Sequence, residues 1–259
     1  MRRRSFNRAL LMTSAAATLL PSVARSALAN RAIHYQKGDT ISPEVFVLDK
    51  NQRQHTLLSL MRDKPGVEVT LLFLFGGGDM GKGRPGGFWC QDSFNDMHIL
   101  RTLAARYQDL PVGIIPVSCA PVYSTQYLGF EKRVFLDSPA GSAEYQAAAS
   151  AFIRSTQAAV DSGIIPMEPW YDLRLRTVMS RAPKKMPAQA AGPVYPWQGG
   201  FRAENEIQNY GVPNFWLLDP AGKVLSDPFM GNVYHPHGGS VEINYTLSDI
   251  DTTIQGLLS

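Results

Sequence analysis

The run Val67 to Phe75 (VEVTLLFLF) constrains the fold more than any other part of the chain. It is mostly apolar, β-branched or aromatic and is stopped by Gly76-Gly77-Gly78. That is the pattern of a strand buried on both faces, since an exposed face would show alternation. Such a strand needs helical cover, and the next residues supply it. Over Asp92 to Tyr107, the residues Phe94, Met97, Ile99, Leu100, Leu103 and Ala104 fall near helical spacing, with Gln91 and Asp92 in the first turn. Val112 to Val117 (VGIIPV) reads as a second buried strand whose end Pro116 should limit. Strand, helix and strand in about 50 residues make a βαβ unit with parallel strands.

The flanking segments extend this α/β pattern. Ile41 to Leu60 reads as two short strands around the turn Asp49-Lys50-Asn51-Gln52, followed by a helical start. Ser142 to Gly163 is Ala-rich and helical, with Gly163 as its stop, and Ile164 to Tyr171 is a candidate short strand interrupted by Pro166 and Pro169. Four prolines between Arg181 and Gly200 mark an irregular surface excursion. A short helix near Ala203 to Asn209 follows. Asn214 to Leu218 and Lys223 to Leu225 then flank Asp219-Pro220-Ala221-Gly222 as the arms of a hairpin. Leu247 to Leu258 is an amphipathic helix. The expected fold is α/β, a central mixed sheet flanked by helices. No internal repeat or heptad pattern is present.

The N-terminus reads as an address. Residues 1–29 hold five arginines (Arg2, Arg3, Arg4, Arg8, Arg25) and no acid. Ala9 to Leu20 is modestly apolar, and Ala27-Leu28-Ala29 offers small residues where a signal peptidase cuts. The apolar run is too short for a membrane anchor, which needs about 20 residues. Arg3-Arg4-Ser5-Phe6 resembles a twin-arginine export motif. The expectation is a cleavable signal peptide over 1–29 and one domain over 30–259, with an insertion around 130–200. The protein would then be periplasmic or secreted, touching membrane only during export, where disulfides persist. Without the leader's five arginines the formal +3 becomes 20 basic against 22 acidic residues. Nothing in that balance favours nucleic acid as a partner. With 44% apolar residues a core is easily built, and two Cys exclude a disulfide scaffold.

Three segments are candidates for chemistry. Gly76 to Gly83 (GGGDMGKG) approaches a phosphate loop, but Gly83 stands where Ser or Thr would ligate Mg²⁺, and Pro85-Gly86-Gly87 prevents a helix from facing a phosphate. A loop without nucleotide is the better reading. Phe88-Trp89-Cys90-Gln91-Asp92-Ser93 places a cysteine between a buried strand and a helix, where N–H groups and the helix dipole would favour a thiolate. Cys90 is therefore a candidate nucleophile, against the alternative of an inert buried thiol. His235-Pro236-His237 offers two imidazoles suited to copper or zinc, although a solvated loop is the plainer reading and no metal or other cofactor is assigned. His34, His55 and His98 have no partner legible in the sequence, and Asp172 has no role beyond a turn.

Three blocks together resemble the thioredoxin-like superfamily, in particular its exported redoxin branch of TlpA-like and AhpC/TSA-like proteins. They are Gly38-Asp39 through Leu60, Val67 to Val117 with Trp89-Cys90, and Tyr210-Gly211-Val212-Pro213 through Lys223. The resemblance implies a three-layer thioredoxin-like fold with a cis bond before Pro213. It also implies that Trp89, Val212 and Pro213 flank a substrate cleft beside Cys90. Where the family has Trp-Cys-x-x-Cys, this chain has Ser93, so a mixed disulfide at Cys90 must be released by another sulfur. Cys119 follows the second strand on the same sheet edge and is either that resolving thiol or a packed small hydrophobe. The peroxidase loop Pro-x-x-x-Thr-x-x-Cys is not matched, since Pro85 lies five residues before Cys90 and Gly87 three before. The implied function is a thiol–disulfide oxidoreductase acting on a protein with thiols or disulfides, or on a small thiol. The alternative is a non-catalytic binding or copper-handling protein of the same fold.

Overall fold

In a computed structural model of the chain, the residues described are Tyr35, 37–78, 85–120, 138–139, 141–173, 212–230 and 245–259. The expectations for the leader, the excursion at 181–200, the helix near 203–209 and the His235–His237 pair lie outside the described residues.

Strand β3 (Val69–Phe75) is buried at every position, as its apolar run predicts. It pairs in parallel with β4 (Val112–Cys119), in a register running from Val69 opposite Val112 to Phe75 opposite Ser118. Its other neighbour is the antiparallel β6 (Asn214–Leu218). Around this core lie β1 (Phe46–Leu48), β2 (Gln54–Thr56), β5 (Trp170–Asp172) and β7 (Phe229–Met230). The seven-stranded order is β2-β1-β5-β4-β3-β6-β7, a mixed sheet with β3–β4 and β4–β5 parallel and the other pairs antiparallel.

Side-chain alternation sends β3 into two cores. Leu72 and Leu74 join Ile115, Val117, Trp216 and Leu218 beneath Leu57, Leu60 and Met61 of helix α1 (Leu57–Arg62). Val69, Leu71, Phe73 and Phe75 join Phe215 and Leu217 on the opposite face. There they meet α3 (Met97–Tyr107) through Ile99, Leu100 and Leu103, and α5 (Leu247–Leu258) through Ile250 and Ile254. Helix, sheet, helix is the resulting three-layer α/β arrangement. Phe73 and Phe215 stack at 4.2 Å across the β3–β6 pair. Helix α5 begins at a capping box in which Thr246 and Asp249 bond reciprocally.

Four expectations need correction. The helix expected over Asp92–Tyr107 is two, α2 (Gln91–Asn95) and α3, meeting at Asp96. Asp96 has φ −82° and ψ −1°, and its carboxylate turns into the core to accept from the Tyr245 hydroxyl instead of facing solvent. Pro116 does not end β4. The parallel partner β5 begins opposite Val117, so Pro116 sits where β4 has one ladder neighbour and its missing N–H is tolerated. The strand expected over Ile164–Tyr171 starts only at Trp170. The N–H groups of Ile164 and Ile165 instead bond to Ala159 O, closing helix α4 (Ala143–Asp161) after Gly163 at φ 72°. Finally, Lys223 and Val224 form isolated bridges to Thr40 and Leu218 instead of a strand, and β7 supplies the ladder neighbour of β6. The turn between them is as expected, with Asp219 Oδ1 accepting from the Ala221 and Lys223 N–H groups.

Candidate active site

The site is built on the C-terminal end of β3. Gly76, the first residue beyond the strand, is clasped by the turn that follows the Gly-rich loop. Its carbonyl accepts from Cys90 N–H at 3.3 Å, and its N–H donates to Ser93 Oγ at 2.8 Å. No other residue fits there. A Cβ on Gly76 would stand 2.5 Å from Cys90 Cβ and 2.7 Å from the Trp89 ring. Cys90 is the N-cap of α2, and its side chain makes no cap hydrogen bond to the first turn. Instead the thiol donates to Val212 O at 3.3 Å, joining segments 122 residues apart. The Val212–Pro213 bond is cis, as the resemblance implies.

Cys119 closes the same edge. It ends β4, is fully buried, and its thiol donates to Val117 O at 3.7 Å. The Trp89 indole N–H donates to Cys119 O at 2.8 Å. Trp89, Cys90, Cys119 and Val212 all belong to the apolar cluster on the α1 face of the sheet, and buried Pro213 follows Val212 into β6. The five residues singled out from sequence are thus neighbours in the fold. Both cysteines are thiols, Cys90 partly buried and Cys119 buried.

The electrostatics of Cys90 run opposite to expectation. Burial is the largest influence and pushes the thiol above its ordinary range, with the Asp92 carboxylate adding to the rise. The Ser93 hydroxyl, the Ser93 N–H and the Asp92 N–H act in the other direction without cancelling it. The first-turn N–H groups thus act on the thiolate in the expected sense, but burial outweighs them.

Two polar features escaped the sequence reading. Asp96, 6% exposed, accepts from Tyr245 on the α3 face, and burial pushes its carboxyl up. The available signal was its position three and four residues before core-facing Ile99 and Leu100. The second is a pair of fully buried hydroxyls, Ser118 and Thr156, whose oxygens lie 3.3 Å apart. Thr156 belongs to α4, part of the stretch expected to be an insertion. That helix presses on the loop after β3, for a Cβ on Gly78 would lie 2.8 Å from Thr156 Oγ1 and 2.9 Å from the Phe152 ring. Among the described residues no group of three or more His, Cys, Asp or Glu could hold a metal ion.

No family model matches the sequence, and no curated protein matches it. Among solved structures the chain is similar to a thiol:disulfide interchange protein of the thioredoxin family from Chlorobium tepidum TLS. That likeness is 10% identical, covers 85% of this chain and 97% of the other, and has a TM-score of 0.40. A thioredoxin-like protein from Bacteroides caccae is 14% identical over 94% of this chain and 58% of its own, with a TM-score of 0.39. BsSco, of the Sco family of cytochrome c oxidase assembly proteins, is 15% identical over 85% of this chain and 95% of its own, at 0.35. At these identities and TM-scores the reading of the site rests on its own residues.

Proposed function

We propose that the protein is a thiol–disulfide oxidoreductase whose exchanging sulfur is Cys90. The observation that carries this reading is the convergence of a partly buried cysteine with the Val212 carbonyl, immediately before Pro213, at the C-terminal edge of a mixed sheet. In the reaction, the Cys90 proton passes to water and the thiolate attacks one sulfur of a substrate disulfide. A Cys90–substrate disulfide forms as the second substrate sulfur leaves as a thiolate. Ser93 has no sulfur with which to resolve that intermediate. A second thiolate, from Cys119 or from an external thiol, then attacks Cys90 Sγ; the substrate leaves as a thiolate, Cys90 is left in a disulfide with the attacking sulfur, and a further external thiol returns Cys90 to the thiol as that external thiol is oxidised. Trp89, Val212 and Pro213 would bound the cleft that takes the substrate, a protein or a small thiol.

The basic, acid-free segment 1–29 supports export to an oxidising compartment as a single domain over 30–259. No helix among the described residues is long and apolar enough to cross a membrane. The second reading is a non-catalytic binding protein of this fold, and the burial that raises the Cys90 thiol and encloses Cys119 favours it. A copper-handling variant of it would draw on His235 and His237. The deciding experiment measures reduction of a small aromatic disulfide by dithiothreitol in the presence of the reduced protein. Catalysis that disappears in Cys90→Ser supports the oxidoreductase. Equal rates with and without the protein leave the binding module.

A further inference from the structure

We propose that helix α4, in the stretch expected to be an insertion, orients Cys90 for exchange by holding both flanks of the loop that carries it, with Thr156 as the positioning residue. The proposal rests on the reading of Cys90 as the exchanging sulfur. At the near flank, a Cβ on Gly77 would lie 2.7 Å from Ser118 Oγ, and one on Gly78 would lie 2.8 Å from Thr156 Oγ1 and 2.9 Å from the Phe152 ring. Gly76, directly before them, is the residue whose carbonyl and N–H hold Cys90 and Ser93. At the far flank, the turn Pro85–Gly87 packs against the same helix. A Cβ on Gly87 would meet the Ser155 carbonyl at 3.6 Å, and one on Gly86 would overlap the Phe94 ring of α2. The turn is therefore held between α4 and the helix that Cys90 caps.

Thr156 is the polar centre of this contact. It is fully buried and spends its one hydroxyl hydrogen on Phe152 O at 3.0 Å. Ser118, also fully buried, is then the donor in the 3.3 Å contact between the two hydroxyls. Ser118 stands opposite Phe75, the last residue of β3, so the bond ties α4 to the sheet where the strand gives way to Gly76. A satisfied buried hydroxyl network admits one arrangement and rigidifies what it joins. Three glycines in a row let the loop backbone pass this close, each against its own neighbour. Gly76 meets Cys90 and Trp89, Gly77 meets Ser118, and Gly78, at φ 75°, meets Thr156 and Phe152. The run that approaches a phosphate loop in sequence thus serves as the packing face for α4.

The test compares two rates at Cys90 in the reduced full chain, read by site-resolved mass spectrometry at one pH. Uptake of glutathione from oxidised glutathione needs Cys90 Sγ in line with two sulfurs of a bulky partner, whereas iodoacetamide is small and accepts many approaches. Thr156→Val keeps the shape and loses the hydroxyl. It should slow glutathione uptake by about tenfold while leaving alkylation within about twofold of the wild type. Thr156→Ser, which keeps the hydroxyl, should restore most of the uptake, with circular dichroism checking that each variant is folded. Ser118→Ala removes the other member of the pair and should show the same split in smaller measure, which carries the test if the valine variant unfolds. A folded Thr156→Val or Ser118→Ala with the wild-type uptake overturns the proposal. So does a folded variant that loses uptake and alkylation in equal proportion, or a folded Thr156→Ser as slow as the valine variant. Failure of the underlying reading looks different, since the wild type would then take up no glutathione at Cys90.

Discussion

The indole N–H of Trp89 donates to the carbonyl of Cys119 at 2.8 Å, so the residue before one cysteine holds the backbone of the other. This bond ties the loop that carries Cys90 to the last residue of β4. Trp89→Phe keeps the ring and loses the donor. We expect it to lower stability by about 1–3 kcal/mol, the usual cost of a buried polar group losing its partner. Cys119 should also become reactive toward iodoacetamide in the native protein, whereas in the wild type only Cys90 reacts before denaturant is added. Denaturant titration with site-resolved alkylation checks both.

Gly76 is the tightest point of the site. Because an added Cβ meets Cys90 Cβ and the Trp89 ring well inside contact distance, Gly76→Ala must push the Cys90 turn off the end of β3. Overpacking of this kind costs about 1–3 kcal/mol. Exchange through Cys90 should fall far more than stability does, as the clasp on Cys90 and Ser93 opens. A variant with wild-type exchange would show that the clasp is not needed.

Asp96 makes a prediction with a definite sign. Its folded carboxyl titrates above the ordinary aspartate value, so the fold favours the protonated form and stability declines as pH rises from about 3.9 through the folded value. Asp96→Asn keeps an acceptor for the Tyr245 hydroxyl and removes the buried charge. It should be at least as stable as the wild type at pH 7 and show a flatter profile between pH 4 and 7. Tyr245→Phe should instead destabilise by about 1.5–3 kcal/mol at pH 7, since it removes a donor from a buried carboxylate. Thermal melts across that pH range decide.

Asp251 works in the opposite sense. Burial alone would raise its carboxyl, but hydrogen bonds from Arg106 and Tyr107 hold it below the ordinary range. The stabilisation is present above about pH 3.9 and is lost as pH falls through the folded value. Asp251→Asn should therefore weaken the acid limb of the stability profile. Burial and the Asp251 carboxylate also push the Tyr107 phenol up to about 12, so the same variant should move its phenolate titration back toward 10, read by ultraviolet absorbance.

Much of the architecture was legible in the sequence for a simple reason. Where a segment's apolar pattern is unambiguous, as in the continuous run Val69–Phe75 or the helical spacing of Leu247–Leu258, burial and local geometry demand the same structure. The break at Asp96 was not legible, because Asp92 to Tyr107 keeps helical spacing across it and the partner of the Asp96 carboxylate is Tyr245, 149 residues away. Pro116 misled for a related reason, since its cost depends on where β5 begins. At the site, residue identities and neighbourhood could be read from turn chemistry and motif order. The charge state of Cys90 could not, because it depends on how deeply the sulfur is buried.

The most direct test of Cys90 as an exchanging sulfur is a stoichiometric one. The reduced full chain is mixed with oxidised glutathione, quenched with acid, and mapped by peptide mass spectrometry. The account predicts one glutathione on Cys90, none on Cys119 in the folded protein, and removal of the adduct by added thiol. A folded protein in which Cys90 takes up no glutathione while both cysteines react after denaturation would contradict it.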